Sequence, residues 1–273
     1  MNETGFDIIV LGGGPGGISA ALTAHARGRK TLVITNPGGT TALAKAHTID
    51  NYPGLVGMSG ADMLAAMTKG LADKEIPVLT GRVTGVMPMG KTFMVSVGTD
   101  VYTGKALILA TGSAQPKAYP GESELLGKGV SYCATCDGMF YRGKKVAVIG
   151  LSAEAKEEAN FLTGIGCEVE FFDKTRAKRY EIRGEGKVEE LLADGAAYPV
   201  EGVFVLRDTV ASAVLLPGLD LDGGHIAVDR EMRTSLPGVF ACGDCAGRPY
   251  QIAKAVGEGN IAALSADTFI KEN

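Results

Sequence analysis

An α/β chain with two nucleotide-binding units is the expected fold, on three observations. The first is a glycine fingerprint near the start, Gly12-x-Gly14-x-x-Gly17, set between an apolar run and a small-residue helix. The second is another apolar run, Lys145-Val146-Ala147-Val148-Ile149, followed by a related loop, Gly150-Leu151-Ser152-Ala153-Glu154-Ala155. The third is composition: 39 glycines among 273 residues, with 45% hydrophobic and only 21% charged residues, read as tight turns and close backbone approach in a globular chain. That length holds one large domain or two ordinary ones.

The first unit opens with the strand Asp7-Ile8-Ile9-Val10-Leu11 and passes through Gly12-Gly13-Gly14-Pro15-Gly16-Gly17 into a helix that begins Ile18-Ser19-Ala20-Ala21-Leu22. In such a loop Gly12 makes the turn, Gly14 lets a pyrophosphate approach the backbone, and Gly17 lets helix and strand pack closely. The helix N-terminus adds amide donors and positive potential for the phosphates. Thr31-Leu32-Val33-Ile34-Thr35 is the expected second strand, and it ends in Thr35-Asn36 rather than in the acid that usually binds a ribose.

The second unit repeats the plan with defects. Its helix runs to Thr163, and its second strand, Glu168-Val169-Glu170-Phe171-Phe172, ends at Asp173, 23 positions after Gly150. Ser152 stands where the middle glycine belongs and puts a Cβ at the closest phosphate approach. Asp173 suits a ribose hydroxyl and repels a 2′-phosphate. NADPH is disfavoured on both counts, and NADH only on the first.

Chemistry enters with Ser131-Tyr132-Cys133-Ala134-Thr135-Cys136-Asp137-Gly138. Spacing alone leaves two readings of this cysteine pair: zinc ligands, which usually need a second ligand pair, or a redox dithiol, which needs an electron source. The amino terminus, Met1 to Phe6, is polar and leads directly into a strand, so no secretory segment is expected and cytoplasm is the expected compartment. There, reducing conditions argue against the five cysteines forming structural disulfides, so a spaced pair is more often catalytic or metal-binding. Cys242 and Cys245 form another close pair, readable as a second redox pair or as core packing, of which packing is preferred, and Cys167 reads as core. His25, His47 and His225 have no ligand spacing. A net charge of −4 gives no general case for nucleic acid, and the apolar runs fall short of a membrane span. No tandem repeat or low-complexity tract is evident.

Taken together these pieces resemble the low-molecular-weight thioredoxin reductase family of flavin disulfide reductases over nearly the whole chain. Besides the fingerprint and the Cys133 to Gly138 motif, the matches are Ile49-Asp50-Asn51-Tyr52-Pro53-Gly54, Ala110-Thr111-Gly112, Pro237-Gly238-Val239-Phe240-Ala241-Cys242-Gly243-Asp244, Tyr250-Gln251 and Gly257-Glu258-Gly259. The resemblance implies two Rossmann-like domains of three-layer ββα type, the second inserted in the first and truncated. Residues 1–113 and 206–273 would bind FAD, and residues 114–205 would form a shortened relative of an NADPH domain carrying the dithiol. The break would fall from Ser113 to Tyr119, with Pro116 and Pro120. FAD would be held by Gly12, Gly14, Pro15, Gly17, Asn51, Thr111, Gly112, Gly243, Asp244, Tyr250, Gln251 and Ile252, with Asp244 at the ribityl and phosphate region. Cys136 would take electrons from the flavin, Cys133 would attack a thioredoxin disulfide, and Asp137 would manage the thiol proton. A homodimer and a rotating small domain come with the resemblance, and on these grounds the dithiol is the preferred reading of the pair.

Departures from the family pattern point to the donor. Asp173-Lys174-Thr175 replaces the family's His-Arg-Arg cluster for the 2′-phosphate, and Tyr180 to Val188 follows almost at once, resembling a later hairpin, as if part of the second nucleotide fold were deleted. Leu206-Arg207-Asp208 replaces a strand-end glycine after Val203-Phe204-Val205. These losses resemble the NADPH-independent, ferredoxin-dependent flavin thioredoxin reductases. A flavin can accept two single electrons and pass them on as a pair. The basic run Lys174, Arg176, Lys178, Arg179 and Arg183 is either a docking patch for an acidic ferredoxin, whose charge reversal would raise the ferredoxin KM at low salt, or a solvated loop. The alternatives are an NAD(P)H-dependent reductase with an atypical nicotinamide site and a non-catalytic flavin redox sensor.

Overall fold

The computed structural model describes residues 4–36, 41–112, 118–152, 155–207 and 215–273. The chain forms two compact units, Met1–Ala114 with Ala211–Asn273, and Gln115–Val210. Each is taken by itself.

The larger unit is built on a seven-stranded sheet. Its parallel part contains β1 (Gly5–Leu11), β2 (Thr31–Thr35), β3 (Val78–Thr80) and the second half of β6 (Asp100–Leu109); β4 (Val83–Met89) and β5 (Thr92–Val97) extend it antiparallel, in the order β3-β2-β1-β6-β5-β4. The late strand β16 (Val239–Ala241) pairs in parallel with the carboxyl half of β6. Ile8, Ile9 and Val10 are all fully buried, which is why β1 reads as a continuous apolar run: a central parallel strand is covered on both faces.

Helices α1 (Pro15–Ala26) and α5 (Ile252–Glu272) pack side by side through small buried residues, among them Ala20, Ala24, Ala262 and Ala266, and Ser19 Oγ donates to Val256 O at 2.7 Å. Asp267 on α5 is buried and accepts hydrogen bonds from Arg29, Arg27 and Lys271 at 2.6, 3.2 and 2.7 Å. Although burial works against the charged form, these bonds hold the carboxyl down at about 2 and pin α5 to the end of α1. Helix α2 (Gly60–Asp73) starts at Ser59, whose hydroxyl accepts from the Asp62 amide.

The smaller unit is three layers. Its middle is a parallel sheet in the order β7-β13-β8-β9, made of β7 (Val130–Ser131), β13 (Gly202–Leu206), β8 (Lys145–Gly150) and β9 (Glu168–Phe172). Side chains alternate across it: Val146, Val148, Phe204 and Leu206 meet α4 (Ala155–Gly164), while Ala147, Ile149, Val203 and Val205 meet an antiparallel sheet of β10 (Tyr180–Arg183), β11 (Glu190–Ala193) and β12 (Ala196–Pro199). After β9 the chain turns through Asp173–Arg176 into that sheet, with no second crossover helix among the described residues. This ββα layering is the expected one. A small hairpin, β14 (Leu221–Asp222) and β15 (His225–Ile226), precedes β16. Among the described residues no helix is long and apolar enough to cross a membrane.

Candidate active site

The first glycine loop is shaped by contacts that only glycine permits. Gly12 has φ +119°, and a Cβ there would lie 2.2 Å from Ala110 O; a Cβ on Gly17 would lie 1.9 Å from Gly12 O. At Gly14, by contrast, a Cβ would meet nothing within 4 Å, so the space above the loop is open. Pro15 opens α1, Gly14 caps it without a side-chain acceptor, and no acid stands in the first turn. The first-turn amides therefore have no acceptor within the helix, and the room at Gly14 is open, a donor set that fits a pyrophosphate.

Around it, the sequence-derived positions of this unit fall into three groups. Thr111 and Gly112 follow β6, with Gly112 at φ +77°. Beyond β16 the chain makes a short 3-10 turn, Gly243–Ala246, preceded by Cys242 rather than by a capping side chain. The Gly243 amide donates to Glu258 Oε2 at 2.9 Å, and Lys254 Nζ donates to Gly243 O and Gly247 O at 3.0 and 2.6 Å while pairing with Glu258 at 3.0 Å. Burial raises the Asp244 carboxyl above its ordinary range, with Lys254 opposing and Glu258 adding to the shift. At the start of α5, Asn51 Nδ2 donates to Gln251 Oε1 at 2.8 Å, joining two expected contact residues 200 positions apart. Ile252 is the helix's first residue, and Tyr250 Oη lies 2.7 Å from His225 Nε2.

In the smaller unit the redox motif forms a single turn, α3 (Ala134–Asp137), directly after β7. Cys133 is disulfide-bonded and 5% exposed; the side chain of Cys136 lies outside the described residues. Buried Ser131 organises the turn: its hydroxyl accepts from the Cys133 amide at 3.1 Å and donates to Asp137 Oδ2 at 2.7 Å. Thr135 Oγ1 is 3.4 Å from Cys133 Sγ, and the Ala134 amide donates to Glu158 Oε2 at 3.3 Å. Met139 and Phe140 follow at once and are 58% and 74% exposed.

The second nucleotide loop differs from the first in where its amides point. Leu151 N and Ser152 N both donate to Leu206 O, at 2.8 and 3.0 Å, instead of facing an opening. Ser152 Oγ is buried with no hydrogen-bond partner among the described residues, and Ala153 and Glu154 lie outside them. Asp173 Oδ1 accepts from Thr175 N, Thr175 Oγ1 and Arg176 N at 2.8, 2.6 and 3.0 Å, bonds that lower its carboxyl's pKa and close the turn after β9.

Three further sequence expectations find their physical setting. The basic run is largely paired in place: Arg176 with Glu170, Arg179 with Asp194 at 3.9 Å, and Arg183 with Glu181 and Glu190 at 2.7 and 3.8 Å. Arg176 also lies over the Phe172 ring at 4.3 Å. Among the described residues these pairs answer the run's three arginines and not Lys174 or Lys178, so they reduce the field of the run without removing it. Cys242 and Cys245 are buried free thiols whose pKa burial raises, and Cys245 Sγ donates to Leu109 O at 3.3 Å; such thiols pack and do not attack. Cys167 is likewise buried, donating to Tyr141 O at 3.1 Å. Of the expected crossings, residues 113–117 with Pro116 lie outside the described residues, while Tyr119 and Pro120 are described and Leu206, expected to begin the return to the FAD-binding part, is the last residue of β13 in the smaller unit.

Sequence reasoning missed Ser131 as the organiser of the redox turn and a buried ion pair, Glu122 with Arg207. Arg207 was visible as a replacement for a strand-end glycine; Glu122, 85 positions away, carried no local signal.

Comparisons with known proteins agree with this geometry. The family model described as pyridine nucleotide-disulphide oxidoreductase matches residues 6–177 and 169–259. The thioredoxin reductase of Listeria monocytogenes is 33% identical over 304 residues, covering 98% of this chain and 94% of its own. Among solved structures, a ferredoxin-flavin thioredoxin reductase from Clostridium acetobutylicum superposes with a TM-score of 0.89 at 35% identity, covering 98% of this chain and 99% of that one. A thioredoxin reductase from Gloeobacter violaceus gives a TM-score of 0.75 at 34% identity, covering 98% and 95%. With its open glycine cradle in one unit and its cysteine turn in the other, the chain belongs to the thioredoxin reductases, flavoprotein oxidoreductases of the pyridine nucleotide-disulphide oxidoreductase family.

Proposed function

We propose that this protein is an FAD-dependent reductase that passes electrons from reduced ferredoxin to thioredoxin, or a thioredoxin-like protein, through Cys133 and Cys136. The observation that carries the donor assignment is the pair of bonds from Leu151 N and Ser152 N to Leu206 O. Two amides of the loop that would otherwise face a nicotinamide dinucleotide's phosphates are thereby already used, and the Ser152 side chain takes up the room a glycine would leave. The likeness to the Clostridium acetobutylicum ferredoxin-flavin enzyme supports the same reading.

FAD would lie with its pyrophosphate over Gly12, Gly14, Pro15 and Gly17, and with Thr111, Gly112, Gly243, Asp244, Asn51, Tyr250, Gln251 and Ile252 along the rest of the molecule. When bound, it supplies the ability to take electrons singly and deliver them in pairs. The chain's own part is to hold the dithiol and move its proton. Ser131 fixes the Cys133 amide and the Asp137 carboxylate in one turn, so that Asp137 can receive the proton a thiol must lose before attack. Cys133 is buried, and it must become accessible before it meets a partner disulfide. Exposed Met139 and Phe140, six and seven positions further along the chain, offer the partner an apolar landing surface.

Turnover tests this reading. With oxidised thioredoxin in excess under anaerobic conditions, reduced ferredoxin is expected to support thiol formation at a rate about a hundredfold or more above NADPH or NADH. Equal rates with a nicotinamide would favour the second reading, a reductase with an atypical nicotinamide site, for which Asp173 Oδ2 would be the remaining ribose acceptor. Flavin reduction without thioredoxin turnover would favour a redox sensor.

A further inference from the structure

Two charged residues near the start of α5 stand against the rules for a helix. Lys254 is its third residue, in the first turn, where the helix field disfavours a cation. Glu258 follows four positions later, and a lysine ahead of a glutamate is the weaker order for such a pair. Both side chains are mostly buried, 16% and 18% exposed, so neither serves as a solvated surface charge. Local rules are broken in this way where another demand outweighs them.

The demand is visible in what the two side chains hold. Glu258 Oε2 accepts from Gly243 N at 2.9 Å, and Lys254 Nζ donates to Gly243 O at 3.0 Å and to Gly247 O at 2.6 Å. One turn of α5 thus grips the 3-10 turn Gly243–Ala246 at both backbone groups of its first residue and again just past its last. Gly243 has φ +76° and no side chain, so nothing of its own fixes the peptide that joins it to Asp244. That peptide is trans, and its N–H therefore points opposite to the carbonyl that Lys254 holds, away from the ammonium. Among the described residues neither the Asp244 amide nor its carboxylate has a hydrogen-bond partner. Lys254 has two hydrogens on carbonyls and its charge answered by Glu258 at 3.0 Å, so its part is to position the turn and not to bind a phosphate itself.

The geometry points to Lys254 and Glu258 as positioning residues for the flavin: they hold the Gly243–Asp244 peptide in the orientation that leaves the Asp244 amide and carboxylate available to FAD. The inference rests on the FAD reading of Gly243 and Asp244 above and adds the residues that aim them.

The test reads flavin release from the holoprotein on dilution, by flavin fluorescence, together with the thermal midpoint in excess FAD. Wild type is compared with Lys254→Met, Glu258→Gln and Asp267→Asn. Lys254→Met keeps the stem and removes the ammonium, so the Gly243 peptide can turn over, and flavin is expected to leave about thirtyfold faster. Glu258→Gln still offers an oxygen to Gly243 N, and release about threefold to tenfold faster is expected. Asp267→Asn is the control for mere loss of stability, since it loosens α5 about 20 Å further along the helix. It is expected to lower the midpoint while flavin release stays within about twofold of wild type. Release from Lys254→Met within about twofold of wild type would overturn the proposal, and so would Asp267→Asn releasing flavin as fast as Lys254→Met. Should Lys254→Met fail to fold, Glu258→Gln decides, and unchanged release there overturns the proposal. A wild-type protein that binds no FAD brings down the FAD reading and this proposal together, whereas a yellow wild type with an unaffected Lys254→Met variant brings down the proposal alone.

Discussion

A Gly17→Ala protein is expected to purify colourless. The added methyl would stand 1.9 Å from Gly12 O and 3.0 Å from its carbonyl carbon. These are backbone atoms of the loop itself, and they cannot swing aside as a flexible side chain would. Either α1 moves off β1 or the loop opens; both separate the first-turn amides from the glycine turn that aims them. Overpacking of this kind costs about 1–3 kcal/mol in the protein alone, and lost phosphate geometry adds to it, so FAD retention is expected to fall at least about a hundredfold. Gly14→Ala makes the instructive contrast. Its Cβ meets no protein atom within 4 Å, so the apoprotein should melt as the wild type does while FAD binding still weakens. The ratio of flavin to protein absorbance after gel filtration reads both. A Gly17→Ala protein with full flavin content would remove the loop from the cofactor site.

Cys133→Ser is the second large effect. Attack on a disulfide requires a thiolate, and a serine hydroxyl is not ionised near neutral pH. Thioredoxin turnover is expected to drop by about a thousandfold or more, while reduction of the flavin by its donor proceeds at the wild-type rate. That split separates an enzyme from a flavin sensor: loss of turnover with intact flavin reduction places Cys133 after the flavin in the electron path. Turnover that stays within a factor of about ten would move the attacking role elsewhere, and the buried, unactivated thiols of Cys242 and Cys245 make poor substitutes.

Much of the fold was legible because burial writes directly into sequence period. β2 and β9 occupy Thr31–Thr35 and Glu168–Phe172 as the apolar runs indicate, and the two faces of β8 alternate between α4 and the β10–β12 sheet. The glycine cradle was legible because each glycine answers a steric demand that no other residue meets. What stayed hidden are contacts made across long separations. Nothing local ties Glu122 to Arg207, or the Leu151 and Ser152 amides to Leu206 O. The basic run illustrates the same limit: Lys174 to Arg183 looks like a charged patch in one dimension. In three, Glu170, Asp194 and Glu190 arrive from β9, the β11–β12 turn and β11 to neutralise its arginines. The motif around Cys133 could be read as a redox turn, but its dependence on Ser131 needed the geometry of one hydroxyl placed between an amide and a carboxylate.

The most direct test of the account is anaerobic flavin absorbance of the purified yellow protein, mixed in separate cuvettes with NADPH, NADH and photochemically reduced ferredoxin. The account predicts rapid bleaching by ferredoxin and a flavin that stays yellow with either nicotinamide. Rapid bleaching by NADPH or NADH would contradict it. Ser152 and Asp173 would then belong to a working nucleotide site, and the Leu151 and Ser152 amides would have to leave Leu206 O to serve it.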